Sequence, residues 1–460
     1  MLEFPVFSAR GDRIRVLGVW FGVAVGAGAT IGVGILRAPA LVAGYLPDFS
    51  HYLLVWLAGA IYAFIDANSN AELATLVGRS GGPYVYVRAA FGSFPAFLVG
   101  WTDWLINVAT IASVTVALYE FSANLAPAFL PRKEICVVGC LCVLGLVQIL
   151  GLRPGSAFQI AIAAAKLIGL AALSTAVVVA FRHIPPPMAS VKLSTEAQPF
   201  AYASALQVVL ETFAGATSIA YFTSQTRTPG GSLPRSMFLS VLVISVVYLI
   251  SVIGLYVCLG PDAMATSNVP VSDAAAIAFG ANGKWIATVV IAISLLGLLN
   301  ATVMFAPRIL AALSQDGLGV SAAADFDQRG TPAVAVLLTL TCAIVLALSN
   351  SFEQLFLMTS LLGLVTTFAS NLSLFVLRRR YSAETRPFAA FGYPLVPMLA
   401  VAVPAIVVAA AVVGTPVSSL CTLSFVLVAA PLFKWYSRRR AQRAAGSAAP
   451  AAEATANQQA

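Results

Sequence analysis

The chain has 460 residues, 60% of them hydrophobic and only 10% charged, with 26 Lys and Arg against 18 Asp and Glu and a net charge of +8. A soluble domain carries about a quarter charged residues, so this composition excludes a water-facing globule and predicts an all-α integral membrane protein. The basic excess then belongs to membrane topology and to contact with anionic lipid. No soluble segment interleaves aromatic and basic residues, so nucleic acid is not an expected partner.

Apolar stretches follow one another at 16–44, 52–73, 94–121, 134–151, 156–181, 201–223, 237–259, 284–306, 333–349, 352–377, 393–414 and 418–435, which predicts twelve transmembrane helices. The fourth, ninth and twelfth are short and rely on tilt or local thinning of the bilayer. The first is too long for a cleaved signal and runs into GILRAP without a small-residue cleavage site. Residues 1–15 form an N-terminal tail, and 436–460, basic at first and then Ala-rich, read as a disordered tail. Lys and Arg gather at 10–15, 79–88, 153, 227–235, 308–329, 378–386 and 434–443. The alternate loops hold only Arg132, Lys133, Arg182, Lys192 and Lys284. Positive residues stay inside, so both termini are expected in the cytoplasm of a plasma membrane, the inner one in a bacterium.

Span one contains VAVGAGATIGVGILRAPA, residues 23–40, in which Gly26, Gly28, Gly32 and Gly34 interrupt an apolar run. Glycine costs about 1 kcal/mol relative to Ala in a helix interior, so the run needs a reason. One is close helix packing by small residues. The other is a helix broken at Gly28–Gly32, which would free N–H groups at the start of its outer half and C=O groups at the end of its inner half. Those ends suit a carboxylate and an ammonium respectively. Span six holds a second irregular stretch, LETFAGATSIAYF at 210–222, with Glu211 in mid-membrane. Two broken helices five spans apart predict an inverted repeat, 16–181 followed by 201–377, with 393–435 added as two further helices and a solute site where the repeats meet.

Other chemistry is missing. Cys136, Cys140, Cys142, Cys258, Cys342 and Cys421 lie in apolar spans and read as buried thiols. His51 and His183 are the two histidines, so no His and Cys metal set is expected, and no cofactor. No GxSxG, HExxH or Walker pattern occurs. The glycine run has three residues between Gly28 and Gly32, the wrong spacing for a dinucleotide fingerprint.

Several polar residues stand inside spans. Asp66 is expected to pair near the cytoplasmic side, Glu72 to end its helix in a structural role, and Arg37 to face the external vestibule. Asp103, Asn107, Thr110 and Ser113 fall at i, i+4, i+7 and i+10, one polar stripe on a helix. The stripe either lines an inner permeation path or makes structural hydrogen bonds. Asn300 in span eight faces the site or serves packing. Lys166 lies ten or more residues from either end of its span, too far to snorkel, so it must face polar protein or lose its proton.

The stretches GAGATIGVGILRAP (26–39), AELATLVGRSGGPYVYVRAAFG (71–92), FAGATS (213–218) with TPGGSLPR (228–235), and PRILAALSQDGLGV (307–320) with GTP (330–332) together resemble the amino acid–polyamine–organocation superfamily of permeases. The resemblance covers spans one to ten and implies the leucine-transporter fold, a 5+5 inverted repeat with helices 1 and 6 broken. It also implies alternating-access transport of amino acids or related amines. Gly32, Val33 and Gly34 would then offer N–H groups to a substrate carboxylate. Ala29, Thr30, Phe213 and Ala214 would offer carbonyls to its amino group, and Gly215 would leave room for its side chain. The resemblance further implies that the Lys166 cation stands where sodium-coupled relatives hold a metal.

Two departures from the family pattern matter. Val33 replaces a frequent Ser, and SQTRTP at 224–229 lacks the acidic pair often found before the turn, so no family salt bridge is expected at the inner gate. Glu211 stands near a position where relatives often carry an aromatic residue. It recognises a cationic group, titrates with the transported proton, or is a protonated acid bonded to the broken backbone. The expected function is sodium-independent amino acid transport driven by protons or by exchange. A polyamine or basic amino acid carrier is the alternative, and a non-transporting nutrient sensor on a transporter body a more distant one. No clustered nucleophile or base suggests an enzyme.

Overall fold

The computed structural model describes residues 17–125, 132–181, 198–226, 228–349, 352–414, 429–439 and 442. The expected N-terminal tail, most of the C-terminal one, Arg182, His183, Lys192, Arg227, Cys421 and most of the twelfth span lie outside them. Span one is two helices, α1 (Val19–Thr30) and α2 (Val33–Tyr45), bent by 48° across Ile31 and Gly32. Next come α3 (Phe49–Val77), α4 (Pro83–Phe91), α5 (Ser93–Leu125), α6 (Lys133–Ile149) and α7 (Leu152–Phe181). Then α8 (Gln198–Phe213) continues as a 3₁₀ segment, Ala214–Gln225. The rest is α9 (Pro229–Thr266), α10 (Pro270–Gln315), α11 (Ala333–Ser349), α12 (Phe352–Arg380) and α13 (Leu395–Gly414).

Among the described residues, eight helices are long and apolar enough to cross a bilayer, and the bent α1–α2 pair makes a ninth. The expected fourth and ninth spans are α6 and α11, each of 17 residues. At 1.5 Å per residue they reach about 25 Å, short of a ~30 Å hydrocarbon core. Two long helices are kinked at glycines with left-handed backbone, Gly260 in α9 (φ 72°) and Gly280 in α10 (φ 64°). Those kinks separate the expected spans 237–259 and 284–306 from the amphipathic ends between them.

Helix α4 falls in the 79–88 segment, which the sequence pattern leaves as a basic loop. Its start, Gly81-Gly82-Pro83, puts both glycines at positive φ and proline in the first turn, where its missing N–H costs nothing. Gly92 at φ 88° ends it. Nine residues are too few to announce a helix by periodicity.

Small residues set the spacing of α1 and α9. A Cβ on Gly22 would stand 2.4 Å from Ser236 Oγ, and one on Gly26 would stand 2.1 Å from Ser240 Oγ. Packing by small residues thus explains the first part of the glycine run.

Glu72 is fully buried, five residues before α3 ends rather than at its end. It accepts from Arg378 Nε at 2.8 Å, from Arg378 Nη2, and from the Ala390 N–H at 2.7 Å, while Arg386 Nε stands 3.8 Å away. This set ties α3 to α12 and to the turn beyond it. Glu72→Ala leaves the Arg378 guanidinium in the interior without its counter-charge and is expected to cost about 3–5 kcal/mol, measured as a lowered melting temperature in detergent. The double change Glu72→Ala with Arg378→Met should recover part of the loss.

Candidate functional site

The site begins where α1 stops. Ile31 donates its N–H to Ala27 O at 3.0 Å, and Gly32 (φ −168°, ψ −134°) turns the chain before α2 starts without a side-chain cap. The break therefore sits at Ile31–Gly32, at the outer edge of the expected Gly28–Gly32 interval. Gly28 is still helical because its bare Cα is a packing surface, where a Cβ would meet Gln159 Nε2 at 1.9 Å. Carbonyls at the end of a helix lack partners and carry partial negative charge. Lys166, fully buried on α7, donates its ammonium to Gly28 O at 2.8 Å and to Ile31 O. Gly297 opposite makes room for it, since a Cβ there would stand 3.1 Å from Lys166 Cδ.

The sixth span does not open into an unwound gap. Its α-helix ends at Phe213 and the chain continues as 3₁₀ helix, a shift from i→i+4 to i→i+3 bonding that frees carbonyls at the junction. One of them, Thr212 O, lies 3.2 Å from the Tyr248 hydroxyl, which is 2.9 Å from Thr30 O. Tyr248, buried on α9, thus shares one proton between the ends of α1 and α8. It is held edge-on by Phe213 (5.1 Å between centroids) and Trp56 (6.1 Å).

The two interruptions touch. A Cβ on Gly215 would stand 2.5 Å from Ala29 C and 2.8 Å from Thr30 N, so in this conformation the space beside Gly215 is filled by α1 backbone. The Thr30 hydroxyl turns back to Gly26 O at 2.7 Å.

A cavity of about 250 Å³ lies against this junction. Its wall includes Ala29, Thr30, Val33, Gly34, Glu211, Phe213, Ala214 and Gly215, together with the stripe Asp103, Asn107, Thr110 and Ser113 on α5. Gly32 is off the wall, its Cα set against Leu298, where a Cβ would stand at 2.4 Å. Lys166 is also off the wall. So is Asn300, which donates to Gln159 Oε1 at 2.6 Å and accepts from Gln148 at 2.9 Å, while Gln159 donates to Ala24 O at 3.0 Å. That amide relay joins α10, α6 and α7 to α1. Asp66 lines the cavity rather than meeting a cation at the cytoplasmic side, and accepts from Asn371 Nδ2 at 2.8 Å. Arg37 stands on the same wall. Glu211 makes no hydrogen bond to the broken backbone among the described residues.

On the cavity wall, Asp103 accepts from the Tyr221 hydroxyl (2.9 and 3.1 Å) and from Asn107 Nδ2 (3.1 Å). Tyr221 stacks on Phe305 at 4.8 Å. Hydrogen bonds rather than ion pairs tie down the end of the 3₁₀ segment. Ser80 Oγ meets Ser224 Oγ at 2.7 Å, Leu17 N–H donates to Gln225 O at 3.2 Å, and Arg308 Nε donates to Gln225 Oε1 at 3.2 Å. The roles of Tyr248, Tyr221 and Gln159 are invisible in the sequence because a single Tyr or Gln in an apolar helix carries no spacing signal. No cluster of three metal-ligating side chains occurs among the described residues.

Apolar helices packed around a cavity at a broken helix suit a membrane transporter. The amino acid permease family matches residues 17–433. The serine/threonine exchanger SteT of Bacillus subtilis is 23% identical over 437 residues, covering 93% of this chain and 97% of its own. The b(0,+)-type amino acid transporter 1 of Mus musculus is 26% identical over 316 residues, 66% of this chain and 63% of its own. An uncharacterized transporter of Mycobacterium tuberculosis, Rv1999c, is 29% identical over 307 residues, 66% of each chain. The chain belongs to the amino acid permease family of the amino acid–polyamine–organocation superfamily, and it is an integral membrane transporter, not an enzyme.

Gly215→Ala drives a methyl group into the Ala29 backbone and must part the two interruptions. Uptake per molecule is expected to fall at least roughly tenfold, about 1.4 kcal/mol. Gly139→Ala, with nothing within 4 Å of the added carbon, is the matched control and should leave the rate within about twofold of wild type.

Proposed function

We propose that this chain is a sodium-independent secondary transporter of amino acids. It works by alternating access through twelve helices, of which the first ten form two inverted five-helix repeats. The observation that carries the reading is Lys166. Its ammonium already occupies the carbonyls at the end of α1, the place and charge a metal cation would take. The coupling ion is therefore a proton, or the driving force is a second amino acid leaving in exchange, as the name of the Bacillus relative suggests.

The substrate's carboxylate is bound by the uncapped N–H groups of Val33 and Gly34, the two of the expected three that line the cavity, at the positive end of α2. Its ammonium is bound by carbonyls of Ala29, Thr30, Phe213 and Ala214, with Tyr248 giving up its share of Thr30 O. Drawing both interruptions onto one zwitterion favours closure of the outer halves of spans one and six. Breaking the contacts of Asp103 with Tyr221 and of Ser80 with Ser224 then opens the inner side. The bias of Lys and Arg toward alternate loops supports a cytoplasmic inner side, with both termini, at the plasma membrane.

The test is uptake of a panel of amino acids into proteoliposomes, with sodium present or replaced by an organic cation. Rates should be unchanged by the replacement and raised by an inward proton gradient or by amino acid trapped inside. Strict dependence on sodium overturns the reading. Lys166→Ala leaves two buried carbonyls unsatisfied and should abolish uptake in either medium.

A further inference from the structure

We propose that the cavity takes an amino acid with a cationic side chain, and that Glu211 is the residue that pairs with that cation. The proposal rests on the transport reading above and names its substrate class.

Glu211 stands on the cavity wall two residues before α8 ends. Its carboxylate has no hydrogen bond or ion pair among the described residues. It leans toward α12, where its Oε2 comes within 3.2 Å of the point a Cβ on Gly363 would occupy. Glycine at 363 leaves the space that lets the carboxylate stand there. Ser370, farther along α12 on the same wall, is 2% exposed and its hydroxyl has no partner.

The charges around the space are unbalanced. Asp66, Asp103 and Glu211 face it, against Arg37 alone as a cation among the described residues. Asp103 is satisfied by Tyr221 and Asn107, and one oxygen of Asp66 by Asn371. Lys166, which could have neutralised an acid, is turned to the α1 carbonyls instead. Glu211 is thus left with no protein donor among the described residues. A carboxylate inside a membrane demands a counter-charge or a proton.

An aliphatic side chain entering the cavity would strip water from Glu211 and give nothing back. An ammonium or guanidinium would pair with it. With its water displaced and no other partner, the carboxylate disfavours a neutral side chain and favours a cationic one. The helix interruptions remain responsible for the α-amino and α-carboxylate groups, so the two ends of a basic amino acid are held by different parts of the site.

The full chain in proteoliposomes is tested with radiolabelled lysine and arginine against norleucine and citrulline, neutral molecules of matching length. Wild type should favour the cationic member of each pair at least tenfold. Glu211→Gln should bring that ratio within about threefold of unity whatever the absolute rates, and Glu211→Asp should retain part of the preference. A wild-type ratio near one overturns the proposal, as does a ratio unaffected by Glu211→Gln. A third outcome also overturns it: Glu211→Gln keeps the ratio but flattens the pH profile for every substrate, which would make the acid a proton carrier. If the variant does not fold, thermal stabilisation of the purified wild type by lysine but not by norleucine supports the proposal, and equal stabilisation by the two overturns it. Neutral amino acids transported without preference sink this proposal alone, whereas no uptake of any amino acid sinks the transport reading with it.

Discussion

A helix that ends inside a bilayer leaves carbonyl groups where no water can reach them, and each must find a donor within the protein. The end of α1 meets that demand with two side chains from different helices. Lys166 of α7 donates to Gly28 and Ile31, and Tyr248 of α9 bridges Thr30 and Thr212. Both donors are buried among groups they orient, so α7 and α9 are locked to the break as firmly as to their neighbours. The cavity lies against this junction, with Ala29, Thr30, Phe213 and Ala214 on its wall.

The same economy of donors extends along α1. Its inner half is gripped by Gln159 at Ala24 and by Ser236 at Val19, with Asn300 and Gln148 behind Gln159. Buried amide networks of this kind hold only when each member is satisfied. The glycines that admit these side chains serve two purposes in one run. Gly22, Gly26 and Gly28 let neighbouring helices approach, while Gly32 and Gly34 lie at the start of the outer half, beside Leu298 and Thr212.

Acidic residues sort by what faces them. Glu72 is enclosed by Arg378 and Arg386 and holds α3 to α12, whereas Asp316 meets Arg79, Arg88 and the Tyr84 hydroxyl at the loop side. These pairs stiffen the frame. Asp66, Asp103 and Glu211 face the cavity and have neutral donors or none. Acids paired with arginine belong to the frame, and these three, without a cationic partner among the described residues, line the cavity. The end of the 3₁₀ segment is held by hydroxyl, main-chain and Arg308–Gln225 hydrogen bonds, each modest in net strength.

The sequence alone pointed to membrane residence, the helical class, a break at Gly28–Gly32 with helix packing as the other reading, the stripe of Asp103 to Ser113 and the depth of Lys166 in its span. These follow from local quantities: hydropathy over twenty residues, glycine within a helix, and the 3.6-residue period. It also pointed to the family through short motifs kept in order. What it left to the tertiary structure was every bond between distant spans. Tyr248 looked like any aromatic in an apolar helix until Thr30, 218 residues away, came within 2.9 Å. Gly28 stayed helical, Asn300 joined a relay and Asp66 met Asn371 because packing across helices, which no local pattern encodes, decides which polar group faces which. The smooth passage of span six from α to 3₁₀ helix is of the same kind: the contact of Gly215 with the Ala29 backbone holds a winding that the residues at 213–217 do not impose by themselves.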